Sequence, residues 1–152
     1  MNYTLTLSLD TGQSEDKMDL IVLDRDKKIL PIEVKQQNNY LYVTLQITMP
    51  NRLIILLTGK ELSKDDESKF VKITGMSLGG IRFNNKKLDD LFEYKTDRGT
   101  AYNPLLTLDN YLKFDSDKTT HWDRNGCVVL ELFDKDPIRY HLNLETQGLA
   151  TI

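Results

Sequence analysis

The sequence has a single cysteine, Cys127, among its 152 residues, so one chain cannot form an internal disulfide. A chain of this length can remove roughly 68–70% of its unfolded surface from water without crosslinks. A lone thiol also agrees with a reducing compartment. We therefore expect one domain, residues 1–152, that is held together by its hydrophobic core.

Positive charge is not in excess either. The chain has 20 lysines and arginines against 23 aspartates and glutamates, which gives a net charge of -3. Binding to nucleic acid or to an anionic membrane surface ordinarily needs a basic footprint. We expect neither partner.

Long apolar runs are missing as well, and none reaches the length of a membrane span. The first ten residues lack the basic start and continuous apolar core of a signal peptide. We expect synthesis in the cytoplasm without a signal peptide, with a virion as one final location of the protein.

Catalytic and cofactor motifs are also lacking. The spacing of Gly75, Gly79 and Gly80 does not match a phosphate-binding loop, and a role as bend points is the interpretation it favours. His121, His141 and Cys127 do not have the spacing of a zinc site or of a nucleophile pair. The sequence therefore predicts a protein that is not an enzyme and that needs no cofactor.

What is present is strand periodicity. Apolar and polar residues alternate over 2–9 and again over 40–49, which predicts strands with one buried and one solvated face. The run 53–57 is apolar throughout and predicts a strand covered on both faces. Pro31 cannot donate a ladder hydrogen bond, so its segment is predicted to be an edge strand or to break at a bulge.

The later part of the chain gives further strand and turn signals. We predict one or two helical turns over 88–92 and strands over 105–114, 127–133 and 138–144. Asp24–Lys28 and the pair Asn125-Gly126 predict hairpin turns. About eight to ten strands with at most one short helix predict an all-β, antiparallel β-sandwich of jelly-roll-like topology, with a closed barrel as the alternative.

Two sets of residues are candidates for binding. Asp115, Asp117 and Asp123 supply oxygen ligands for calcium if they converge, although aspartates also serve as ordinary turn residues. Trp122 and Tyr102 lie in polar segments, where their rings can stack on a sugar or anchor a protein, or else cover the core. Tyr40 and Tyr42 face outward in the alternating segment, as a recognition surface or as ordinary solvated tyrosines.

Short amphipathic strands, an aspartate-rich loop and a loop tryptophan together resemble carbohydrate-binding modules of the β-sandwich type. That resemblance implies glycan recognition through loop aromatics. The other hypothesis is a non-catalytic structural subunit of a larger protein assembly, for example a virion component of a tailed phage, which contacts other subunits or further copies of itself through strand edges and loops.

Overall fold

The computed structural model describes residues 2–10, 19–58, 71–83, 85–96, 110, 112–113, 116–122 and 126–146. The strands in this part of the chain are β1 (Tyr3–Asp10), β2 (Asp19–Leu23), β3 (Ile32–Gln37), β4 (Tyr40–Ile47), β5 (Asn51–Thr58), β6 (Val71–Leu78), β7 (Ile81–Arg82), β8 (Phe92–Thr96), β9 (Ser116–Lys118), β10 (His121–Trp122) and β11 (Gly126–Leu132). A 3₁₀ helix spans Asn85–Asp90, and a ten-residue α-helix, α1, spans Pro137–Thr146.

The strands form two sheets in which every pair is antiparallel. Sheet A has the order β10-β6-β1-β4-β3, with β7 beside β6, and sheet B has the order β2-β5-β11-β8-β9. Buried side chains of both sheets form one apolar cluster, which includes Leu5, Val43 and Leu53. The prediction of an all-β antiparallel sandwich is confirmed.

The middle of sheet B is buried on both faces. On β5, Leu53 and Ile55 belong to the main core, while Ile54 belongs to a second cluster with Leu23 and Cys127. Leu112 packs on this second cluster, and its backbone is helical, as is that of Asn110. The strand covered on both faces is thus confirmed. The strand predicted over 105–114 is wrong at these two residues, and the rest of that segment lies outside the described residues.

The segment predicted as a last strand, 138–144, is instead the helix α1. Asp136 precedes the helix, and its Oδ1 accepts the backbone N–H of Arg139 at 2.8 Å, which is the geometry of an N-cap. Pro137 occupies the first helical position, where its missing N–H costs nothing. Within the described ranges, no helix combines the length and apolar character needed to span a bilayer.

Of the two predicted hairpins, the second is wrong and the first is present but short. β10 belongs to sheet A and β11 to sheet B, so the Asn125-Gly126 signal does not join neighbouring strands. After the turn at Asp24–Lys28 the chain pairs with β2 only briefly, through a bridge between Leu23 and Ile29. It then crosses to sheet A, where β3 begins just after Pro31 and forms an edge, as predicted.

The glycines act as bend points, also as predicted. The register between β1 and β6 shifts beside Gly75, and Gly79 and Gly80 form the turn into β7. Both turn glycines have positive φ, 58° and 83°. A Cβ at Gly79 would lie 2.7 Å from Cγ of Pro137, so the turn packs directly on the start of α1.

We expect Gly79→Ala to lower the free energy of unfolding by about 1–3 kcal/mol, because a Cβ there is strained by the positive φ and also collides with Pro137. Gly80→Ala is the matched control, since its φ is positive but nothing lies within 4 Å of the added Cβ. Urea unfolding of the two variants measures the difference. Equal losses would show that the turn does not pack on α1.

Candidate interaction surfaces

Trp122 and Asp117, two of the residues that the sequence singled out, lie in edge strands of the two sheets. Trp122 lies in β10, not in a loop, and its backbone pairs with Val71 of β6. Asp117 lies in β9, opposite Tyr94 of β8, and its side chain is exposed. Tyr102, Asp115 and Asp123 lie outside the described residues. In the described ranges, no three His, Cys, Asp or Glu side chains converge as a metal site, and calcium binding stays a prediction.

The segment from β9 to β10 crosses from the edge of sheet B to the edge of sheet A. Thr119 donates its N–H to the carbonyl of Phe92 in sheet B at 3.2 Å, and the carbonyl of Thr120 accepts the N–H of Ile73 in sheet A at 2.9 Å. Two consecutive residues therefore tie both sheets together along this edge.

A carboxylate fixes this crossing. Oδ1 of Asp89, in the 3₁₀ helix, accepts the backbone N–H of Thr120 at 2.7 Å and its hydroxyl at 2.5 Å. Thr120 is buried, so these bonds satisfy polar groups that water does not reach. The hydroxyl bond is the largest cause of the lowered pKa of Asp89. Partial desolvation raises this pKa, whereas the Thr120 N–H and the charges of Lys72 and His121 lower it further.

The cysteine and the two histidines lie in different surroundings. Cys127 is fully buried in the second cluster, with Leu23 and Ile54, and desolvation raises the pKa of its thiol to about 11. His141 is buried in α1, with its ring 5.6 Å from that of Phe83, whereas His121 is exposed in β10. His141 lies in the segment 138–144, which was predicted as a strand and is helical.

A small cleft of about 180 Å³ lies between α1 and the outer face of sheet B. Phe133 lines it, is 52% exposed, and packs its ring 4.9 Å from that of Tyr140. The charged residues that line the cleft are Asp90, Glu93, Lys118 and Glu131. The sequence prediction missed this cleft because it placed 138–144 in a strand. The Asp136-Pro137 capping signal, together with apolar residues spaced three and four apart, could have revealed the helix.

The outer face of sheet A has a different character. Its centre carries only uncharged side chains, which we call the uncharged face: Thr4, Thr6, Ser8, Tyr42, Thr44, Gln46 and Ser77. Charged residues of the same face lie around it: Asp10, Glu33, Lys35, Lys72 and Arg82. Tyr40 and Tyr42 are each 37% exposed, and Gln46 Nε2 donates to Thr4 Oγ1 at 2.8 Å. The outward orientation predicted for both tyrosines is confirmed.

The fold and these surfaces define a β-sandwich domain with a polar outer face on sheet A. Comparisons of the chain with protein-family models, with curated proteins and with solved structures found no match.

The Asp89 bonds give a pH-dependent stability. Because the folded-state pKa of Asp89 is lowered, the contribution of these bonds is complete above the ordinary carboxyl pKa of 3.8 and is lost as the pH falls through the folded-state pKa. We expect Asp89→Asn to lower the free energy of unfolding by about 0.5–1.5 kcal/mol at pH 7, and the deficit to shrink as the pH is lowered below 3.8.

Urea midpoints of the wild type and the variant across this pH range measure that deficit. Asp90→Asn is the matched control, since the bonds to Thr120 come from Asp89 alone of the two aspartates. A deficit that stays constant with pH would contradict the assigned role of the carboxylate.

Proposed function

We propose that the protein is a non-catalytic interaction subunit of a larger protein assembly, for example a virion component of a tailed phage. The observation that carries the proposal is the uncharged face of sheet A. Charged residues make up 28% of the chain, yet seven neighbouring outward positions on three strands carry none. Protein interfaces have this arrangement, in which uncharged and aromatic side chains lie inside a charged rim.

The chemistry of the face supports a protein partner. Tyrosine provides a large contact area at a low cost in conformational entropy, and serine, threonine and glutamine side chains adapt their hydrogen bonds to a partner. The strands beneath are held by the buried leucines of β1 and β4. The face is therefore a rigid platform, and little ordering entropy opposes binding to it.

We expect Tyr42→Arg to reduce incorporation into the native assembly at least about tenfold, because it removes an aromatic contact and places a charge within the uncharged face. Thr146→Arg is the control, since it introduces the same side chain at the exposed end of α1. The readout is the fraction of tagged protein that co-sediments with particles from its native source. Sedimentation of the wild type as a free chain, or equal incorporation of Tyr42→Arg, would contradict the proposal.

The cleft beside α1 favours a second candidate function, glycan binding. The exposed ring of Phe133 offers a stacking surface, and the surrounding carboxylates and Lys118 offer hydrogen-bond partners for sugar hydroxyls. Its volume of about 180 Å³ is below the roughly 300–1,000 Å³ of typical ligand pockets, and suits a single sugar residue.

A glycan array with and without calcium tests this candidate. We expect Phe133→Ala to lose any signal, because the stacking surface is removed, and Ile138→Ala, an exposed apolar position outside the cleft, to keep it. Trp122→Ala tests the residue that the sequence indicates. An array without signal in either condition, or binding that survives both aromatic substitutions, would contradict glycan recognition.

A further inference from the structure

β3 is an edge strand of sheet A. In the described residues it has a strand neighbour on one side only, β4, and five of its six residues are exposed. Val34 is 44% exposed although it lies opposite the buried Val43, on the face of the sheet that points to the core. Sheet A therefore extends past its partner sheet here and leaves an apolar side chain uncovered.

The hairpin sets which backbone groups point outward. A two-residue turn, Asn38–Asn39, joins β3 to β4, so the pair that closes the hairpin, Gln37 and Tyr40, is a hydrogen-bonded one. Bonding to β4 then alternates along the strand, which directs the N–H and C=O groups of Ile32, Val34 and Gln36 to the open edge. Pro31 lies before the strand and removes none of these three donors.

The side chains of β3 are complementary to themselves. We propose that two copies of this chain pair through β3, antiparallel and about a two-fold axis, with Val34 opposite Val34 of the second copy. Glu33 then lies opposite Lys35 of the second copy, and Lys35 opposite its Glu33, so that two pairs of opposite charge form on the outer face. On the inner face the two valines cover each other. Ile32 meets Gln36 of the second copy, which aligns all three outward donors with acceptors.

The charges select this register over its neighbours. Directly opposite residues of an antiparallel pair share a face of the sheet, so alternative two-fold registers shift by two residues. One shift places Glu33 opposite itself and the other places Lys35 opposite itself, and like charges in these positions repel. Edge strands that avoid pairing commonly carry an inward-pointing charge, whereas the inward positions of β3 hold Ile32, Val34 and Gln36.

The contact is small, because it comprises one strand of six residues from each copy. Interfaces below about 1,000 Å² are weak or transient, so we expect dimers to form in the range of roughly 0.1–1 mM. Pairing would also join the two copies of sheet A into one continuous sheet. The inference goes beyond the proposed function, since it concerns the edge of sheet A and a second copy, not the uncharged face and its partner.

Charge reversal tests the register in the full chain. We expect the wild type to dimerise with rising concentration in sedimentation velocity, and Lys35→Glu and Glu33→Lys each to weaken dimerisation at least about tenfold, because like charges then meet. An equimolar mixture of these two variants should recover dimers, since each introduced charge faces its opposite on the other chain. The double exchange Glu33→Lys/Lys35→Glu should also recover them.

Labelling one chain of the mixture with ¹⁵N lets native mass spectrometry separate heterodimers from homodimers, and urea unfolding checks that each variant is folded. A wild type that stays monomeric throughout, single variants that dimerise as well as the wild type, or a mixture that stays monomeric would each overturn the proposal. A monomer that still enters the native assembly through Tyr42 would overturn the β3 pairing alone. A dimer that never enters an assembly would overturn the proposed function alone.

Discussion

The burial of β5 on both faces of sheet B is the constraint on which the rest of the structure depends. β5 contributes Leu53 and Ile55 to the main core and Ile54 to the second cluster, and it pairs with a strand on each side. Ile54, Ile55 and Leu56 pair with a strand on each side, and the side chains of Leu53, Ile54 and Ile55 are buried. Sheet A buries one face of β1 and β4, and its outer face is left for other contacts.

At both lateral edges of the sandwich, the chain crosses from one sheet to the other. On one side the crossing follows β2 and leads into β3, and on the other it joins β9 to β10 through Thr119 and Thr120. Asp89 holds the second crossing through the buried Thr120. The two edges differ in what they leave open, because the β10 side carries only a two-residue strand, whereas β3 presents six residues of backbone.

The fold could be predicted from the sequence wherever the spacing of apolar residues fits only one type of secondary structure. The alternation in β1 and β4 placed their leucines inside and Tyr40 and Tyr42 outside, and Pro31 indicated an edge. The segment 138–144 was ambiguous, because Ile138, Tyr140, Leu142 and Leu144 fit a strand as well as part of a helix. The structure buries Tyr140 and Leu144 but exposes Ile138 and Leu142, so only a helical spacing accounts for all four. A local turn signal such as Asn125-Gly126 also cannot tell which sheet the next strand joins. The proposed pairing of Glu33 with Lys35 of a second copy could not be predicted from the sequence, because it depends on the hairpin, which determines the backbone groups that face the open edge.

Native-state amide hydrogen exchange tests most directly the claim that the doubly covered strand holds the sandwich together. The account predicts that the amides of Ile54 and Ile55 exchange only through global unfolding, with the full free energy of unfolding, while the outward amide of Val34 exchanges early in the monomer. Exchange in β5 that is as fast as in β3, or that proceeds by local opening well below the global free energy, would contradict it.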